Sequence, residues 1–309
     1  MIRVNQQFYE KLIQIIPQEA IIINANMKEH TTFRVGGCVQ YLIRIKEISK
    51  VVDILFLLNE YKISYFILGN GSNLLVSDMG YSGAMIQLQP DEGSISINGT
   101  RISVSAGTRL STVANMAADY SLKGFEFAAG IPGTIGGAVY MNAGAYGGEM
   151  KDVVKSTTVI DQEGHMATLS KEELEFGYRT SVLKKRRIVL LEVVMELVEG
   201  DREEIRNSMR DFVNRRRESQ PLSFPSAGST FKRPVGHYAG KLIQDSGLSG
   251  YRIGGVCVSP KHCGFIMNDQ QGCASDIYEL MQYVIKVVNE QQGIVLEPEV
   301  IMLGDFKET

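Results

Sequence analysis

The sequence is poor in the features that define several large protein classes. It has only four cysteines, Cys38, Cys257, Cys263 and Cys273, and none are spaced as a CxxC pair. The four histidines, His30, His165, His237 and His262, do not cluster beside them, so reduced thiols and no metal site are expected. A long apolar run is also missing. The most hydrophobic segment, Ile188 to Val198, is interrupted by Glu192 and Glu196 and does not suit a bilayer. The opening MIRVNQQFYEKLIQIIP is amphipathic, unlike the basic-then-apolar pattern of an export signal. Charge of one sign is lacking too, with 32 Lys and Arg against 35 Asp and Glu and a net charge of -3. That leaves no broad positive field for a polyanion. A cytoplasmic protein is expected, with no membrane or nucleic-acid partner.

What is present is ordinary globular material, 44% hydrophobic and 22% charged over 309 residues, enough for two or three domains around a deep cavity. Apolar spacing predicts helices around Phe8 to Ile16 and Val51 to Leu58. Strands are predicted over Tyr41 to Ile45, Tyr65 to Leu68 and Met85 to Leu88, with a hairpin of Ile95 to Ile97 and Ile102 to Val104 across Asn98-Gly99. Beyond residue 150 the pattern predicts a strand from Ser156 to Asp161, a short helix starting near Ser170 and a long strand from Arg187 to Val198. Gly200-Asp201 breaks this pattern and marks a domain boundary, with a charged helix from Asp201 to about Arg217 after it. The last part reads as a second α+β unit: a helix (Tyr238 to Gln244), strands (Gly254 to Val258, Phe265 to Met267), a long helix (Ser275 to Gln291) and a terminal strand (Val295 to Leu303).

Two glycine-rich segments stand out. In Gly69-Asn70-Gly71-Ser72-Asn73, directly after a strand, backbone N–H groups can converge on a phosphate with no Cβ in the way. The loop is neither a Walker sequence nor GxGxxG, because Leu74 fills the last glycine slot. The second segment, Ala128 to Gly148, carries Gly130, Gly133, Gly136, Gly137, Gly144, Gly147 and Gly148, which weaken any ordinary helix or strand. Close approach to a diphosphate would repay that flexibility. Two such cradles suggest a dinucleotide.

The strings HTTFRVGG (His30 to Gly37), ILGNGSNLLVSD (Ile67 to Asp78), GIPGTIGGAVYMNAGAYGGE (Gly130 to Glu149), FGYRTS (Phe176 to Ser181), PSAGSTFKRP (Pro225 to Pro234) and EPEV (Glu297 to Val300) together resemble the UDP-N-acetylenolpyruvoylglucosamine reductase family along nearly the whole chain. The resemblance implies an α+β fold: a two-subdomain FAD-binding unit of the vanillyl-alcohol-oxidase (PCMH) type over residues 1–200, divided roughly into 1–85 and 86–200. A C-terminal α+β substrate domain follows over 201–309, with the strand near 295–303 reaching the active site. It implies non-covalent FAD, NADPH as cosubstrate and UDP-N-acetylglucosamine enolpyruvate as substrate; the sequence does not fix the oligomeric state, and a monomer is the expectation. FAD contacts are then expected from Arg34, Gly69, Asn70, Gly71, Ser72 and Asn73, and from Gly130, Ile131, Pro132, Gly133, Thr134, Gly136, Gly137, Ala138, Asn142, Gly144 and Ala145.

The implied reaction delivers a hydride to a vinyl carbon and pushes charge onto a carboxylate, which must be stabilised and then protonated. By resemblance, Arg179 clamps the carboxylate, Ser229 donates the proton and Glu299 assists as a carboxyl of raised pKa. From the residues alone, Ser226, Ser229 and Thr230 are equal candidates, and strand alternation points Glu297 and Glu299 to the same side. Tyr178, Lys232, Arg233, Lys261 and His262 are candidates for substrate, while Lys184 to Arg187 and Arg215 to Arg217 read as solvated faces.

The chain departs from the family pattern at Ile301, where many members carry Arg, and at Arg233, where some carry Asn. The short interval between Arg179 and Ser229 resembles the subgroup without an extra tyrosine-bearing loop. Two other readings stay open. One is a different FAD-dependent oxidase of the same cofactor fold, with His30 placed for covalent attachment, and the other is a non-catalytic nucleotide-binding protein.

Overall fold

The computed structural model describes residues 5–90 and 93–306. The first four residues of the amphipathic opening segment lie outside that range. The first sheet runs in the order Ile21–Asn26, Cys38–Ile45, Tyr81–Leu88, Tyr65–Ile67, the first pair antiparallel and the others parallel. Side-chain alternation divides its two faces. Tyr41, Ile43, Ile45, Ala84, Ile86 and Leu88 face the helices Gln6–Ile15 and Ser49–Glu60, whose Phe8, Leu12, Ile54 and Leu58 are buried against them. Leu42 and Met85 face the other way and pack with Leu68, Leu74 and Val76.

The second sheet is antiparallel, in the order Met166–Ser170, Val154–Ile160, Val189–Glu196, Arg101–Ser105, Ile95–Asn98. The predicted hairpin forms one residue further on than expected: Asn98 pairs with Arg101, so the loop is Gly99-Thr100. Gly99 takes the positive φ (+59°) that a tight hairpin demands. A three-stranded sheet, Arg252–Ile253, Val256–Val258 and Ile266–Asn268, supports the C-terminal core with the helix Ala274–Gln292.

Three further expectations differ from the structure. No helix starts near Ser170. Ser170 and Glu173 do exchange the hydrogen bonds that cap a helix, Ser170 N to Glu173 Oε2 at 2.8 Å and Glu173 N to Ser170 Oγ at 3.3 Å. Glu175 then adopts φ +46° and the chain turns away. The terminal strand covers only Ile301–Leu303, since Pro298 has no N–H for a ladder and forms a single bridge to Phe231. The helix Arg202–Ser219 lies past the expected boundary, yet its Ile205 and Met209 are buried in the core of the preceding unit. The second core gathers buried residues from Ala227 onward together with Phe33, Val35 and Leu75 of the N-terminal part.

The chain end returns to the cofactor-side unit. Ile301–Leu303 pairs in parallel with Leu74–Val76, directly after the first glycine loop. Asp78, four residues beyond Leu74, caps the helix Ala274–Gln292 by accepting from Ala274 N (3.0 Å), Ser275 N (2.8 Å) and Ser275 Oγ (2.9 Å).

Candidate active site

A cavity of about 830 Å³ runs between these units. Gly69, Asn70, Gly71, Ser72 and Asn73 form one wall, and Ile131, Pro132, Gly133, Thr134, Gly136, Gly137, Ala138, Gly144 and Ala145 form another. Glycine is required where these walls meet the rest of the chain. Gly71 has φ +62°, and a Cβ on it would sit 2.1 Å from the His30 carbonyl oxygen. A Cβ on Gly69 would sit 2.8 Å from Thr134 Oγ1, so side chains there would push the two walls apart.

The two segments differ in what they can offer a phosphate. Ile131, Ile135, Gly136 and Gly137 spend their amides on Ala128 O, Thr108 O, Ala106 O and Thr134 Oγ1. The seven-residue helix Ile135–Met141 forms across two of the glycines, so its N-terminus is already satisfied. The amides from Gly69 to Asn73, by contrast, have no acceptor among the described residues. A row of free N–H groups beside a long cavity fits a dinucleotide phosphate, with the donors concentrated in the first segment.

Three candidate groups share this cavity. Arg179, Ser229 and Glu299 all line it. Arg179 Nε donates to Glu299 Oε1 at 2.8 Å, although 120 positions separate them. Burial pushes the Glu299 carboxyl above the ordinary glutamate range, against the opposing pull of Arg179, Lys184 and Lys232. Glu299 is held by Asn73, whose Nδ2 donates to its carbonyl at 3.0 Å, and by its own N–H, which donates to Thr230 O at 2.8 Å.

The structure separates candidates that are equivalent in the sequence. The Thr230 hydroxyl is buried and accepts from Ile266 N at 3.2 Å, whereas Ser229 lines the cavity and Ser226 does not. Glu297 does not share a side with Glu299. Its side chain is 71% exposed and pairs with Lys232 at 2.9 Å, while that of Glu299 is 13% exposed. The break at Pro298 removes the strand geometry on which the alternation depended.

Arg179 projects from a tight turn with φ +55°. Asn142 Nδ2 donates to Gly177 O at 3.0 Å, Ser181 Oγ to Tyr140 O at 2.9 Å, and Lys184 Nζ to Arg179 O at 2.8 Å. Asn142, expected at the cofactor, is thus fully buried and fastens this turn instead. The Arg34 side chain is exposed at φ +56°, and neither it nor Gly130 lines the cavity. His30 also stays out of the cavity wall.

The five candidates for substrate lie outside that wall as well. The Tyr178 hydroxyl accepts from Arg233 N at 3.1 Å, and the Arg233 guanidinium covers the Tyr238 ring at 3.9 Å. Lys232 pairs with Glu297, and Lys261 Nζ donates to Arg217 O at 2.6 Å. His262 packs edge-on against Phe265, and burial lowers its imidazole pKa. The basic runs, conversely, are not simply solvated: Arg187 and Arg216 line the cavity and Lys184 is half-buried. Nothing in a run of like charges tells which member points inward.

Comparison with known proteins shows the family of the chain. Residues 220–303 match the C-terminal domain profile of UDP-N-acetylenolpyruvoylglucosamine reductase, and residues 39–170 match an FAD binding domain. The UDP-N-acetylenolpyruvoylglucosamine reductase of Clostridioides difficile (strain 630) is 46% identical over 301 residues, 97% of this chain and 99% of that one. The chain belongs to the UDP-N-acetylenolpyruvoylglucosamine reductase family. The relative from Caldanaerobacter subterraneus subsp. tengcongensis is 46% identical over 296 residues, 96% and 98% of the two chains. The family's crystal structure from Thermus caldophilus superposes with a TM-score of 0.79 at 36% identity, covering 92% of this chain and 98% of that one. As a reductase of this family the chain is an FAD-dependent enzyme of α+β architecture.

Proposed function

We propose that this chain reduces the enolpyruvyl ether of UDP-N-acetylglucosamine enolpyruvate to UDP-N-acetylmuramate, with NADPH as the source of reducing equivalents. The observation that carries the reading is the Arg179–Glu299 pair, which shares one cavity with Ser229 and the free amides of Gly69 to Asn73. FAD, when bound, supplies the hydride. Gly69 to Asn73 would hold its diphosphate, with Gly133 and Thr134 opposite.

Arg179 offers the planar, permanent charge that a substrate carboxylate needs as electron density moves onto it. Its partner Glu299 is already raised by burial, and a second carboxylate nearby would raise it further. Protonated, Glu299 donates a hydrogen bond to the developing enolate rather than repelling it. Ser229 then gives its hydroxyl proton to the carbon. A hydroxyl is a weak acid, but an enolate carbon is basic enough to take the proton once charge has developed.

The reading also covers setting and assembly: a cytoplasmic enzyme acting as a monomer, with the substrate held mainly by the C-terminal unit. No helix of the described residues is long and apolar enough to cross a membrane.

The test is an absorbance assay of purified protein with NADPH and UDP-N-acetylglucosamine enolpyruvate. Turnover is expected, falling by roughly 10²- to 10⁴-fold in Ser229→Ala, while flavin bleaching by NADPH alone persists. Full turnover in Ser229→Ala removes the proton-donor assignment. A purified sample that neither carries nor takes up flavin overturns the reading as a whole.

A further inference from the structure

The helix Arg202–Ser219 docks on the glycine-rich stretch along one edge of the cavity. Phe212 stacks on Tyr146 with ring centroids 4.6 Å apart and planes 5° from parallel. One turn later the stem of Arg216 crosses Gly130. A Cβ on Gly130 would lie 3.4 Å from Arg216 Cδ and 3.7 Å from Val213 Cγ2, ordinary packing distances, so the arginine stem lies directly against this part of the glycine-rich stretch.

Arg216 lines the cavity, half-buried, and its guanidinium has no hydrogen bond or ion pair among the described residues. Its neighbour Arg215, by contrast, pairs with Asp211 at 2.8 Å. Four residues on, Gln220 also lines the cavity, and its Oε1 is buried without a partner. The Gln220 N–H donates to Arg216 O at 2.9 Å, which fixes the spacing of the two side chains. A half-buried cation and a buried amide oxygen, both unpaired, are costly unless a ligand completes them.

The chemistry narrows that ligand. A guanidinium selects phosphate or carboxylate oxygens, and the substrate carboxylate is already assigned to Arg179 under the reading above. A carboxamide can accept from a hydroxyl or, turned over, donate to an oxygen. A phosphate beside ribose hydroxyls meets both demands. We propose that Arg216 and Gln220 form a binding site for the phosphate–ribose portion of a nucleotide, the guanidinium on the phosphate and the amide on the neighbouring hydroxyl.

Identification of the nucleotide rests on the proposed function, which offers three sources: FAD, NADPH and the UDP-sugar. Arg216→Met removes the charge and keeps the stem, and Gln220→Ala tests the amide separately. FAD affinity is read by titrating flavin-stripped protein, UDP affinity by calorimetry on the holoenzyme, and NADPH affinity from the concentration dependence of flavin bleaching. Arg216→Met is expected to weaken one of these by about 10- to 100-fold, and Gln220→Ala the same one to a lesser degree. Riboflavin or uridine, which lack the phosphate, should show no matching loss, and Arg216→Lys should recover part of the affinity.

With no internal partner to lose, Arg216→Met should melt no lower than the unaltered protein when nucleotide is absent. Three affinities all within twofold of the unaltered protein overturn the proposal, as does a lower melting temperature without nucleotide. Absence of turnover on the enolpyruvyl substrate would sink the proposed function and leave this site intact, because binding and not turnover reports it.

Discussion

Asn73 Nδ2 donates to the backbone carbonyl of Glu299 at 3.0 Å across 226 residues, and Asn73 O accepts from Ile301 N at 3.0 Å. One residue of the first glycine loop thereby holds both sides of the segment that carries the buried carboxyl. Asn73→Ala loses a bond worth about 1 kcal/mol and frees Glu299 to drift. Turnover is expected to fall roughly fivefold, in line with that energy. Asn73→Asp cannot donate and should be worse than alanine in the same steady-state assay. An aspartate variant more active than the alanine one would rule out the hydrogen bond as the reason.

Lys184 acts on the site through Arg179. Its ammonium bonds the Arg179 carbonyl at 2.8 Å, lies 5.4 Å from the centroid of the Tyr140 ring, and has its pKa lowered chiefly by burial. Lys184→Met should release the turn that presents Arg179 at positive φ. The expected result is a KM for the enolpyruvyl substrate about tenfold higher, from loss of a charge-assisted bond, with NADPH bleaching of the flavin unaffected. Lys184→Arg should restore part of the loss. Equal damage to both half-reactions would point to general misfolding instead.

Glu299 is expected to give the site a pH dependence. Burial raises its carboxyl, so the folded protein binds this proton more tightly than the unfolded chain does. The associated stability is complete below the ordinary glutamate pKa and is lost as pH rises through the raised one. Glu299→Gln lacks this titration, so melting curves should favour the variant increasingly as pH climbs through that window. If protonated Glu299 is the working form, kcat should descend over the same range in the unaltered enzyme and stay level in the glutamine variant. Parallel pH profiles for the two proteins would exclude Glu299 as the group responsible.

Asp78 joins the units at a helix cap. Burial would raise its carboxyl, but hydrogen bonds from Ala274, Ser275 and Cys273 outweigh that and hold it below the ordinary aspartate range. Its contribution to stability is present above the ordinary aspartate pKa and fades as pH falls through the lowered one. Asp78→Ala should cost about 1 kcal/mol at neutral pH, the usual value for a lost cap, and less in acid. Urea titrations at two pH values measure this directly. An undiminished cost at low pH would mean that the carboxylate charge is not what matters.

Local chemistry makes much of this protein legible from its sequence. The apolar periods that mark the helices Gln6–Ile15, Ser49–Glu60 and Ala274–Gln292 act within a few turns, and so does the glycine that closes the Gly99-Thr100 hairpin. The motif strings from His30 to Val300 carry the family membership, because spacing and residue type survive without coordinates. Even local signals fail when a later residue overrides them, as Glu175 does at the cap formed by Ser170 and Glu173.

Tertiary structure alone decides which member of each equivalent set faces the cavity. Ser229 and Thr230 differ only because Thr230 Oγ1 meets Ile266 N. Glu297 and Glu299 part because Pro298 interrupts the ladder, while Ile301–Leu303 is fixed in parallel to Leu74–Val76. Arg216 lines the cavity between two exposed neighbours, a difference that a run of three arginines does not carry. The amides of Gly69 to Asn73 stay free among the described residues, while those of Ile135 and Gly136 are spent on the distant carbonyls of Thr108 and Ala106. An amide or side chain is available to a ligand only when no distant part of the chain has already satisfied it, and that accounting exists only after folding.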